Sequence, residues 1–360
     1  MKKLFLLAAM VGVALTGCMK NEVYVPKCET PISFEVANYV AQTRANGAFA
    51  YDAFGVNAWS RATGADASVQ MMTNETVSLI GSKWTTATPY YWPINGTVDF
   101  IAYYPTTVKP TIGYDYAGAD TYKYTDYTVE TVADGVDLMY ADKAIRFSAN
   151  NTADANGTNL GIDSYGFEGV PTLFHHALAK VNFKVQNALP TDGVYSYDIK
   201  VNSITLKVYN QGSVMLTNNG ATPASRGAWT LPTGNVWTPT DENTYATLTW
   251  TANNVILSDN TVVDYATRVQ YVLPQALVAG KQKITVNYTV TQYQTINSVK
   301  TKISEKTYDP TLDLRSDALA SWQMNKDITY TIALSSIGTQ ILFAPAVEEW
   351  GTADGSVTIQ

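Results

Sequence analysis

Histidine and cysteine, the side chains on which most nucleophilic triads and transition-metal sites depend, are scarce in this chain. There are two histidines, His175 and His176, and two cysteines, Cys18 and Cys28. The histidines are neighbours in one segment, so the usual multi-histidine metal sites and separated Cys/His or Ser/His/Asp constellations have almost nothing to draw on. A glycoside hydrolase would need two carboxylates about 5 to 9.5 Å apart across a cleft, and nothing in the sequence marks such a pair. Asn150 to Gly161 places Asp154 and Asn156 two apart before Gly157, an echo of a calcium loop without the distal bidentate glutamate. No catalytic residue, metal ligand or cofactor is assigned, and the chain is not read as an enzyme.

The two histidines sit in the segment that organises the reading, Gly169 to Val185. Leu173, His175, Ala177 and Ala179 point to one side and Phe174, His176, Leu178 and Lys180 to the other, after which Val181, Phe183 and Val185 alternate with polar residues. That is the pattern of a buried strand, and a histidine there is expected to be satisfied by neighbouring polar groups. Pro171 lacks an N–H and marks the strand's start, which predicts a boundary near residue 168. The 360 residues suit two domains, and the short alternating runs rich in Thr, Val and Tyr, with only 15% charged residues, predict all-β structure. A net charge of −7 disfavours a nucleic-acid partner. Both cysteines precede residue 29, so no disulfide staples the predicted domains.

At the N-terminus, Lys2 and Lys3 precede the apolar run Leu4 to Leu15, which is too short to span a bilayer and reads as an export signal. Leu15-Thr16-Gly17-Cys18 resembles the lipobox of bacterial lipoproteins, implying cleavage before Cys18 and its acylation. Residues 18–44 then form a tether and a first strand in which Ile32, Phe34 and Val36 alternate with Ser33, Glu35 and Ala37. Arg44-Ala45 lies in a small polar link, and on the residues alone it reads either as an ordinary surface arginine or as a site within reach of a trypsin-like protease. Cutting there would remove the anchor, both cysteines and the first strand together.

Further on, Trp84, Tyr90 and Trp92 precede a turn at Pro93 to Gly96, with Val98, Phe100, Ala102 and Tyr104 alternating after it, which predicts a hairpin. Thr111 to Thr128 is a tyrosine-rich tract, read as an exposed loop or an edge ribbon. Strands are expected at Val136–Ala141, Ile199–Tyr209, Ser213–Thr217, Thr247–Thr251, Asn254–Leu257, Thr267–Leu273, Lys283–Val290 and Tyr330–Leu334. Asn218 to Asn243, with three prolines, reads as a long excursion, and Asp313 to Ala320 as a short helix.

Taken together these stretches resemble the fimbrillin family, the Mfa-like or type V pilin-like lipoproteins of Gram-negative anaerobes. The resemblance is carried in order by TRANGAF (Arg44, Phe49), YYWPINGTVDFIAYYP (Tyr90 to Pro105), VDLMYAD (Val136 to Asp142), FHHALAKVNFKV (Phe174 to Val185), YVLPQ (Tyr271 to Gln275), WQMNKDITYTIAL (Trp322 to Leu334) and ILFAPAVEEW (Ile341 to Trp350). It implies two tandem transthyretin-like (Greek-key) β-sandwich domains, 45–168 and 169–360, after a signal peptide at 1–17. It further implies a lipid anchor at Cys18 in the outer membrane, proteolysis between Arg44 and Ala45, and replacement of the strand bearing Ile32, Phe34 and Val36 by a strand from another fimbrial subunit. The expected role is adhesion or colonisation, with surface glycans or proteins as further partners. A glycan-binding surface lipoprotein outside any pilus is the alternative, motivated by Tyr114, Tyr116, Tyr122, Tyr124, Trp229 and Trp237.

Overall fold

The computed structural model describes residues 27–36, 40–41, 44–45, 49, 51–81, 83–131, 135–148, 169–220, 225–251, 256–265, 270–335 and 341–349. The signal segment, Cys18, the loop 150–161 and the tail from 350 lie outside the described residues. Among the described residues, the regular elements are all strands apart from one short 3-10 turn at Thr233–Asn235.

At the centre of the first half, Gly96–Tyr104 pairs antiparallel with Ala53–Ala62 in a ten-stranded sheet. The two-residue period of a strand explains why this sheet is buried on both faces. Val98, Phe100 and Ala102 enter a first core with Phe54, Val56 and Ala58, whereas Ile101 and Tyr103 enter a second. That second core is closed by a four-stranded sheet in which Asp120–Thr128, from the first half, pairs with Gln211–Asn218, from the second. The tyrosine tract is therefore an inner strand, with Tyr122 and Tyr124 buried.

A third core fills the space between two sheets of the second half, one built on Ala179–Asn187 and the other on Tyr195–Val208 with Lys283–Ile296. Ala179–Asn187 alternates strictly between buried and half-buried positions, and pairs in parallel with Lys326–Leu334. Ile341–Glu349 runs antiparallel along the outer side of Lys326–Leu334.

The all-β expectation holds, with four local corrections. Gly169 to Val185 is not one strand: Val170–Thr172 and Phe174–His176 pair with first-half strands, and only Ala179–Asn187 joins the second-half sheet. The sheet therefore changes between His176 and Ala179. Tyr91–Pro93 does not form a hairpin with Gly96–Tyr104 but pairs with Lys27–Pro31, because the following strand is already held by Ala53–Ala62. Asp313 to Ala320 is no helix; Thr311–Asp313 extends the sheet on Lys283–Ile296, and Ser316 and Leu319 close a tight bridge. Val299–Tyr308, too polar to show an apolar face, is a full edge strand beside Lys283–Ile296.

Candidate functional site

The expected processing segment can be followed from Lys27 onward. Lys27–Pro31 pairs with Tyr91–Pro93, the Ile32 N–H donates to the Tyr90 carbonyl at 2.7 Å, and Phe34–Val36 resumes the extended path. Phe34–Val36 is not at the rim of its sheet. It pairs in parallel with Val170–Thr172 on one side and meets Lys83–Thr86 through Phe34 and Trp84 on the other. The Val170 N–H also donates to the Ser33 carbonyl at 2.9 Å. Its removal would leave hydrogen-bonding groups unpaired on two strands.

The side chains pack this segment into the first core. Ile32 and Phe34 are 1% and 4% exposed, and Val36 is half-buried against the same core. The Phe34 ring meets Phe54 and Phe100 edge-on, with centroids 5.8 and 5.5 Å apart. Such geometry sets the positive edge of one ring on the negative face of the other. Gly169 lets the chain close over the strand: a Cβ there would lie 2.9 Å from the Phe34 carbonyl carbon and from the Ser33 oxygen. Around the segment, burial raises the Tyr90 phenol above its ordinary value, and a hydrogen bond with Glu75 adds to the shift.

Arg44-Ala45 forms a two-residue ladder with Val40-Ala41. Beyond it, Phe49 pins the chain back to the core. Its ring stacks on Phe174 at 4.4 Å and meets Phe54, Trp84 and Tyr104 at wider angles. Phe49 thus anchors the chain after Arg44, as Ile32 and Phe34 do before it. In the sequence Phe49 stands out only as an apolar residue near the start of an expected strand, Ala48 to Ser60, and in a family-like stretch; its anchoring role follows from long-range packing.

Each histidine is paired with an aspartate. His176 Nδ1 lies 2.7 Å from Asp137 Oδ2, which also accepts from the Tyr51 hydroxyl, and His175 Nε2 lies 3.0 Å from Asp142 Oδ1. Burial, and then the Asp137 carboxylate, hold the Tyr51 phenol well above its usual range. Among the described residues no group of three His, Cys, Asp or Glu could hold a metal ion.

The aromatic residues that motivated glycan binding do not form an exposed platform. Tyr122, Tyr124, Trp229 and Trp237 are buried in the second core, where Trp229 Nε1 donates to the Ala141 carbonyl and Trp237 Nε1 to that of Ala177. Tyr114 stacks on Trp59 at 4.4 Å, and the Tyr116 ring lies against the Arg61 and Arg146 guanidinium groups. Both tyrosines are half-buried.

A family model described as fimbrillin-like matches residues 43–350. No curated protein matches the chain. Among solved structures, a fimbrial protein from Bacteroides vulgatus is 18% identical, covers 89% of this chain and 99% of its own, and superposes with a TM-score of 0.54. That likeness shows a shared fold. A candidate cell adhesion protein from Bacteroides uniformis is 17% identical over 89% of this chain and 99% of its own, with a TM-score of 0.46. The tip fimbrial protein Mfa3 from Porphyromonas gingivalis, with a C-terminal truncation, is 10% identical over 89% of this chain and 98% of its own, at a TM-score of 0.39.

Proposed function

The chain belongs to the fimbrillin-like family, and from that premise we propose that it is a fimbrial subunit or surface lipoprotein serving adhesion, assembled by exchange of its N-terminal strand. The family is of a fimbrial structural type rather than an enzyme class. In this reading Cys18 carries lipid in the outer membrane, Arg44-Ala45 is the processing site, and the body comprises domains 45–168 and 169–360, with Val170–Thr172 and Phe174–His176 pairing back onto first-half strands. After cleavage, an incoming strand from another subunit takes the place of Ile32, Phe34 and Val36.

The observation that carries the reading is the seat of Phe34–Val36. A short segment whose Phe34 is buried and whose Val36 is half-buried lies between two strands that stay behind when the chain is cut at Arg44. β-Augmentation needs both of its features: main-chain partners along the vacated lane and apolar pockets at alternate positions. Phe49 keeps the new N-terminus docked against the same core. Binding of glycan through Trp229 or Trp237 is disfavoured because both indoles are structural.

The test is the intact mass of the protein from shed surface material and, separately, from outer membranes. A species starting at Ala45, free of lipid and found in SDS-resistant ladders, supports maturation and polymerisation. Protein that all starts at acylated Cys18 and stays monomeric rules out the exchange and leaves a stand-alone surface lipoprotein.

A further inference from the structure

Three charged side chains outside the assembly segment meet in the interior where the ten-stranded sheet faces the four-stranded one. Lys143 Nζ lies 2.6 Å from Asp120 Oδ2 and 2.9 Å from Asp99 Oδ2, and all three side chains are at most 3% exposed. The walls are aromatic: the Tyr114 ring centroid lies 5.0 Å from Nζ, and the face of Tyr114 stacks on Trp59. One ammonium facing two carboxylates in so dry a place is costly unless one carboxyl is protonated. The two aspartates also have different partners. Asp99 accepts from the Tyr114 hydroxyl and from the Arg146 N–H besides Lys143. Asp120 offers one oxygen to Lys143, while its other oxygen accepts the Asp115 N–H at 3.0 Å.

We infer that Lys143 and Asp120 condense spontaneously in the folded protein into a side-chain amide, with Asp99 as the proton acceptor. Asp99 takes a proton from the ammonium, freeing the Nζ lone pair to attack Cγ of the protonated Asp120. The oxygen of the tetrahedral intermediate that gains charge is the one held by the Asp115 N–H, the arrangement that stabilises an oxyanion. The Cγ–O bond to the other oxygen then breaks and that hydroxyl leaves as water. Of the three ammonium protons, one stays on the amide nitrogen, one leaves in the water and one remains on Asp99. No oxidant, reductant or cofactor is consumed.

Two physical factors favour the step. Fixed contact between amine and acid replaces a bimolecular encounter with an intramolecular one. The product carries no charge at the site, so the burial cost of the ion pair is removed. Burial raises the Asp120 carboxyl above its ordinary value even against the Lys143 hydrogen bond, which favours the acid form needed for attack. The bond would join Lys143–Phe147, in one sheet, to Asp120–Thr128, in the other. It would supply a covalent staple to a body whose only cysteines, Cys18 and Cys28, precede it.

The test is tryptic mapping of the purified full-length protein by tandem mass spectrometry. In an unlinked chain trypsin cuts after Lys83, Lys123, Lys143 and Arg146, and not at Lys109, which precedes Pro110. The expected product is fragment 84–123 joined to 124–146, lighter than their sum by one water and uncut at Lys143. Fragment ions should place the link on Asp120. Fragments 84–123 and 124–143 recovered free and at unmodified mass overturn the inference without any variant having to fold. A link on Asp99, or one that persists in Asp120→Ala, overturns the assignment of the acylated residue. Asp99→Asn should leave the fragments free, and full joining in that variant removes Asp99 from the mechanism.

Discussion

Truncating Phe34 to alanine is the most direct probe of the N-terminal strand's seat. Phe34 is 4% exposed and meets two rings, Phe54 and Phe100, that are themselves buried on central strands of the sheet. Phenylalanine-to-alanine changes in cores cost about 3–5 kcal/mol, combining lost transfer energy with the cavity left behind. The two edge-on contacts, about 0.5–1.5 kcal/mol each, fall within that figure. The upper half of the range is expected, because Phe54 and Phe100 lie on strands paired on both sides and cannot collapse into the space. Val36→Ala is the control: the residue is half-buried and should cost about 1 kcal/mol. The measurement is urea unfolding of protein uncut at Arg44, followed by tryptophan fluorescence, with amide exchange localising the loss to Ala53–Ala62. A Phe34→Ala cost below about 1 kcal/mol, or one equal to the Val36→Ala cost, would refute the claim that this strand is a core element.

Other perturbations reach the same architecture. Gly169→Ala pushes a methyl against the backbone of Ser33 and Phe34 and should destabilise by about 1–3 kcal/mol; limited proteolysis should then release the N-terminal segment faster than in wild type, and an unchanged rate would count against close packing there. Trp229→Ala and Trp237→Ala should each cost about 3–5 kcal/mol in unfolding experiments, since both indoles are buried and hydrogen-bonded; full stability with selective loss of sugar binding would restore the glycan reading. Burial pushes the Tyr103 and Tyr127 phenols up to about 12, from an ordinary 10.0. Their neutral forms therefore add stability that is fully present below the unfolded value and is lost as pH rises through the folded one. Alkaline titration should show stability falling from about pH 10 upward; phenolate absorbance that reaches its full value near pH 10 in the still-folded protein would contradict this.

Local chemistry made much of this protein readable before any fold was known. Alternation alone points to strands at Val181–Val185, Lys283–Val290 and Tyr330–Leu334, because a half-buried strand must repeat every two residues, and these lie inside the longer strands Ala179–Asn187, Lys283–Ile296 and Lys326–Leu334. The same rule picked out Ile32, Phe34 and Val36 as one apolar face, and scarce histidine and cysteine argued against metal and nucleophile chemistry. What the sequence could not carry is which strands meet. A tyrosine tract has the same local pattern whether it lies on a surface or, as Asp120–Thr128 does, between Thr111–Gly113 and Gln211–Asn218. Val299–Tyr308 has no apolar face because it lies on a sheet edge exposed to water, so periodicity passed over it. Lys143, Asp99 and Asp120 look like surface charges when read singly. Only the closing of one sheet over another, a matter of contacts far apart in the chain, brings them together in a dry interior and gives Phe34 strands on both sides.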